Sequence, residues 1–128
     1  MLKLLIGLAL SLFATVASAE WVNVAVIDNG GTKFYAQPNT KKRMGNVVRM
    51  WGLQDNSKPS VHSGKTFYSV QTYWQFDCFE DTVQLLQSTA FAGKMATGEI
   101  ILGDQVPSDK MFARPGSIHS DMLNFACK

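Results

Sequence analysis

The sequence predicts an α+β fold: a single antiparallel β-sheet of about six meander-connected strands, with a C-terminal α-helix packed on it and disulfide-linked to the central strand. Three observations predict it. The run Thr66 to Cys78 alternates without a break, Tyr68, Val70, Thr72, Trp74, Phe76 and Cys78 on one side and Phe67, Ser69, Gln71, Tyr73, Gln75 and Asp77 on the other. Side chains of a strand point alternately to its two faces, so this is a long strand with one buried and one wetted surface, and it belongs at the centre of the sheet. Turn-forming clusters recur along the chain, at Asp28-Asn29-Gly30-Gly31, Pro38-Asn39 and Phe79-Glu80-Asp81. The only two cysteines are Cys78, at the end of that strand, and Cys127, beside the C-terminus.

The chain opens with Lys3, the apolar run Leu4 to Leu12 and Ala17-Ser18-Ala19 before Glu20. A positive start, a short apolar middle and an A-x-A site make a secretory signal peptide over residues 1–19, cut after Ala19. The run is shorter than the roughly 18 to 20 apolar residues of a spanning helix, so no transmembrane segment is expected in the mature chain. Residues 20–128, beyond the cut, are one domain's length. Removal of Lys3 leaves 11 Lys and Arg against 10 Asp and Glu, a balance that offers no field for nucleic acid. Export to an oxidising compartment favours a Cys78–Cys127 disulfide, which closes a loop of about 50 residues and stabilises by roughly 4 kcal/mol in the chain-entropy treatment.

Within residues 20–128, Trp21 to Ile27 is β-branched and apolar, Asp28 to Gly31 supplies the positive-φ residues of a tight turn, and Thr32 to Ala36 returns as the hairpin partner. Pro38-Asn39 ends that strand, and Thr40 to Asn46, with Lys41-Lys42-Arg43, reads as a polar connection whose cations are solvated or guard an edge. Asn46 to Leu53 resumes strand character, with Trp51 expected in the core. Gln54 to Lys65 has loop composition and is the first candidate contact surface. Thr82 to Ala90 pairs back on the central strand, a helix being the alternative for this segment. Phe91 to Gly98 is a connection, Glu99 to Leu102 a short last strand, and Gly103 to Arg114 irregular. Pro115-Gly116-Ser117 then opens a helix with Ser117 as N-cap, Asp121 near its positive end, and a stripe of Ile118, Met122, Phe125 and Ala126. A helix this short is marginal alone, which gives the disulfide a purpose.

No constellation points to catalysis, a metal or a cofactor. His62 and His119 have no second His or Cys at ligand spacing. Asp77, Glu80 and Asp81 flank a turn, where acidic residues serve solvation and local hydrogen bonds rather than glycoside hydrolysis. Ser69, His119 and an aspartate lack any nucleophile-elbow context. The protein is therefore expected not to be an enzyme. The polar side of the central strand instead carries Phe67 and Tyr73, aromatic anchors of the kind found in protein interfaces, and with His62 and Lys65 they are the candidate partner-binding residues. The competing expectation is that the C-terminal helix covers those rings.

Several pieces in order, Trp21-Val22, Val48-x-x-Trp51, Tyr68-Ser69 leading to Asp77-Cys78, Phe91-x-Gly93, Gly98-Glu99, Pro115-Gly116-Ser117 and Cys127-Lys128, resemble the surface-adhesin protein E-like family of exported bacterial proteins. The resemblance runs over residues 20–128. It implies an antiparallel sheet joined by a disulfide to a C-terminal helix, and a non-enzymatic binding module of the cell envelope, an adhesin for host extracellular-matrix or serum proteins. The sequence departs from the family's pattern at Ala36-Gln37, after the Asp-Cys turn and before the Pro-Gly-Ser, and has no cysteine at the cut site to carry a lipid. A periplasmic accessory or inhibitor-like protein acting on another envelope component is thus the second expectation, and a monomer or weak dimer is expected in either case.

Overall fold

A computed structural model describes residues 20–128. In them eight strands form one antiparallel sheet: β1 (Val22–Ile27), β2 (Thr32–Ala36), β3 (Lys42–Met44), β4 (Val47–His62), β5 (Lys65–Asp77), β6 (Thr82–Phe91), β7 (Ile100–Asp104) and β8 (Met111–Phe112). One α-helix, α1 (Ile118–Cys127), closes the chain. The leader read over residues 1–19, with its cut after Ala19, lies outside the described residues. The sheet order is β1-β2-β4-β5-β6-β7, so the alternating run is central, flanked by β4 on one side and, from Ser69 to Asp77, by β6 on the other. β2 and β3 lie end to end along one side of β4, and β7 and β8 do the same along β6.

Three segments differ from the expectation, the shortest being Met111–Phe112, which pairs with β6 as β8 inside the stretch Gly103 to Arg114 expected to be irregular. Gln54 to Lys65 is not a loop: β4 continues to His62, with an irregularity between Asp55 and Ser60, and turns at Ser63-Gly64 into β5. Ser63 (φ 50°) and Gly64 (φ 76°) both take the left-handed conformation that a two-residue hairpin requires. The polar composition of this stretch reflects exposure, not irregular backbone. Lys42 to Met44, within the expected connection, pairs with the start of β4 as β3.

The core lies between α1 and one face of the sheet, where Val48 and Met50 of β4, Phe76 of β5 and Val83 of β6 meet Met122, Leu123 and Ala126. Ile118 and Phe125 of the expected stripe flank this cluster, and Leu123 joins it. Gly52 makes the close approach possible: a Cβ there would sit 3.0 Å from Met122 Cε and 3.0 Å from Thr72 Oγ1. Ser117 caps the helix, its Oγ accepting from the Ser120 N–H at 3.2 Å. At the other end Cys127 is bonded to Cys78, Cα to Cα 5.7 Å.

The cation run has a structural role that the sequence does not disclose. Lys41 Nζ donates to the Phe125 carbonyl at 2.8 Å and lies 4.8 Å from the Phe125 ring centroid, and Arg43 Nη2 donates to the Cys127 carbonyl at 3.4 Å. The last carbonyls of a helix have no partner within it and carry its negative end, so cations from the β2–β3 segment supply what α1, with no basic residue in its last turn, lacks.

Trp51 is not in this core. It is half-buried on the opposite face, stacked on Tyr73 with centroids 4.6 Å apart, because Val48 and Met50 set the parity of β4 and place Trp51 with the other set. That face is also less wetted than expected at one end. Residues 92–99 fold over it: Ser69, 0% exposed, donates to Gly93 O at 2.7 Å and accepts from Ala96 N at 2.9 Å, and Asp55 Oδ1 accepts from Met95 N at 2.7 Å. Met95 and Ala96 hold left-handed φ values of 55° and 57°, which these side-chain bonds secure.

Candidate partner-binding surface

The β4–β5 hairpin projects from the sheet. β2 pairs with β4 only as far as Asn56, with the Ser57 N–H donating to Gly31 O at 2.8 Å just beyond, and β6 pairs with β5 only from Ser69, so from Ser60 to Phe67 the two strands pair only with each other. Ser60 faces Phe67, Val61 faces Thr66 and His62 faces Lys65 across it. Three of the four candidate residues, His62, Lys65 and Phe67, are therefore gathered on one finger, together with Val61, which is 68% exposed. Phe67 and His62 line a hollow of about 440 Å³ with Val70, Ala90 and Leu102.

Tyr73 stands apart from them, in mid-sheet and packed on Trp51. The helix does not cover it. The α1 core draws on Trp74 and Phe76, the opposite parity of β5, because alternation puts Tyr73 on the far face.

On the helix side a second hollow, of about 460 Å³, opens where α1 begins, floored by Phe34, Val70, Trp74 and Leu85 and walled by Ile118 and His119. It shares Val70 and Ser88 with the first, so the two hollows adjoin. Trp74 Nε1 donates to Thr72 Oγ1 at 2.8 Å, and His119 packs edge-on to Trp74 with ring centroids 5.5 Å apart.

The residues weighed for chemistry are dispersed. Asp77 Oδ1 accepts from the Phe79 and Glu80 N–H groups at 3.0 and 2.9 Å, the local bond of a turn-forming aspartate, while Glu80 and Asp81 are exposed. Ser69 is buried under residues 92–99, on the face away from His119. Among the described residues no three His, Cys, Asp or Glu are placed to hold a metal ion, and no helix is long and apolar enough to cross a membrane.

No curated protein matches the sequence. Among solved structures, Haemophilus influenzae protein E superposes with a TM-score of 0.64 at 13% identity, covering 88% of this chain and 86% of that one. Its second crystal form gives 0.65 at 12% identity, with 88% and 89% covered. Protein E of a non-typeable H. influenzae gives 0.58 at 13% identity, with 89% and 76% covered. At these identities the likeness is one of fold: the sheet, the terminal helix and their order. The sequence model described as surface-adhesin protein E matches residues 21–128, nearly the whole of the described chain, and the protein belongs to that family.

Proposed function

We propose that the protein is a non-enzymatic binding module exported to the bacterial cell envelope, where it acts as an adhesin for a host extracellular-matrix or serum protein. Its membership of the surface-adhesin protein E family over residues 21–128 carries this reading. The signal peptide over residues 1–19 would direct export. The projecting β4–β5 finger, with His62, Lys65, Phe67 and the exposed Val61, offers the partner a ridge whose side chains are free of core duty. One observation favours a second reading. Both cysteines are consumed by the Cys78–Cys127 bridge, which leaves none to carry a lipid tether, and a periplasmic accessory or inhibitor-like protein acting on an envelope component needs no such tether.

Crosslinking capture on intact cells, with protease shaving of the same sample, separates the two. Host-protein partners and a protease-sensitive protein support the adhesin. A protected protein whose partners are recovered only after the outer membrane is opened replaces it with the periplasmic role.

A further inference from the structure

The face turned away from α1 has a chemistry unlike that of the finger. Cross-strand register puts Trp51, Tyr73 and Gln87 in one row of it, and Lys42, Arg49, Gln75 and Gln84 in the next. Trp51 and Tyr73 are stacked at 4.6 Å with 24° between their planes, so they act as one flat aromatic unit. Arg49 Nε donates to Gln75 Oε1 at 3.0 Å, which fixes the guanidinium beside that unit. Leu53 belongs to the same face but is 2% exposed, and the exposed apolar side chains that register places here, Val26, Met44 and Phe112, stand at its rim, away from the stacked rings.

Among the strand residues of this face, cations outnumber carboxylates. Lys33 and Lys42 are exposed and Arg49 half-buried. The two carboxylates that strands place here are both engaged: Asp55 is 8% exposed and accepts from Met95 N, and Asp77 accepts from the Phe79 and Glu80 N–H groups. Three cations thus face outward against two carboxylates that keep their charge but are turned to backbone N–H groups. A guanidinium forms paired, charge-assisted bonds to oxyanions; a carboxamide both donates and accepts, as a hydroxyl-rich ligand requires; and the electron-rich face of an aromatic ring receives the C–H face of a sugar.

We propose that this face binds a sulfated polysaccharide of the extracellular matrix, with sulfates on Arg49 and Lys42, a sugar ring against the Trp51–Tyr73 unit, and hydroxyls on Gln87 and its neighbours. The matrix as source rests on the surface location proposed above; the anionic-glycan chemistry does not.

The test is calorimetric titration of the protein, purified after export, with heparin as the probe, neutral dextran and poly-glutamate serving as controls. Heparin binds, dextran does not, and poly-glutamate binds more weakly. Two charge contacts to a polyelectrolyte lower the affinity about 7- to 12-fold between about 50 and about 200 mM salt. Arg49→Gln weakens binding about tenfold, the loss of a charge-assisted hydrogen bond, and Tyr73→Ala does likewise. If either variant unfolds, Lys33→Gln with Lys42→Gln, both at exposed positions, carries the test. Equal binding of dextran, poly-glutamate binding as tight as heparin, or heparin binding untouched by these substitutions overturns the proposal, the second in favour of an acidic protein partner. Heparin titration and protease shaving of cells fail independently, so loss of this proposal is distinguishable from loss of the adhesin reading.

Discussion

The two ends of the β4–β5 pair are held in opposite ways. At the Val47–Asp77 end the pair is flanked by β3 and β6, roofed by α1 and clamped by the Cys78–Cys127 bridge, with Lys41 and Arg43 on the helix's last carbonyls. At the Ser63-Gly64 end it is a bare two-stranded finger. An isolated hairpin is at best marginally stable in water, so the finger persists because its strands are anchored at the other end. The molecule separates stability from presentation along the same two strands, and substitutions at the two ends test that separation.

The largest effect is expected at the bridge. Cys127→Ser should lower stability to urea by about 2–5 kcal/mol relative to the oxidised protein, the usual cost of a native disulfide in a small secreted domain. A loss under about 1 kcal/mol would mean that packing and the two cations hold α1 without it. Next comes Gly52→Val, which drives methyl groups toward Met122 Cε and Thr72 Oγ1 and should cost about 1–3 kcal/mol by overpacking. An unchanged unfolding midpoint would show that α1 can ride outward freely. Ser117→Ala removes the N-cap and should cost about 1 kcal/mol in the same assay, with Ser117→Asp restoring most of it. Smallest is Val61→Ser on the finger, which should change stability by less than about 0.5 kcal/mol while reducing partner capture on cells. If stability falls instead, the finger carries load and the division between the ends is wrong.

Much of this architecture is legible in the sequence because it is written in local signals. The central strand comes from the alternation of Thr66 to Cys78, the first hairpin from Asp28 to Gly31, and the helix from Ser117 and its stripe. The finger is legible as a contact candidate but not as a hairpin, since Asp, Asn, Ser, Lys and Pro mark exposure as readily as irregular backbone. Trp51 misleads for a related reason: size and hydrophobicity argue for the core, yet parity with Val48 and Met50 sends it to the far face, where Tyr73 shelters it.

Sequence by itself determined the class of the fold, the pairing of the two cysteines and the cap of the helix, because each depends on residues a few positions apart or, for the cysteines, on there being one partner to choose. Tertiary structure alone decided which face α1 covers, what Lys41 and Arg43 do, and how Asp55 and Ser69 are satisfied. Lys41 meets the Phe125 carbonyl across 84 residues of chain, and Asp55 meets Met95 across 40. Such contacts exist only once strands far apart in sequence have set their register, and no local period encodes them.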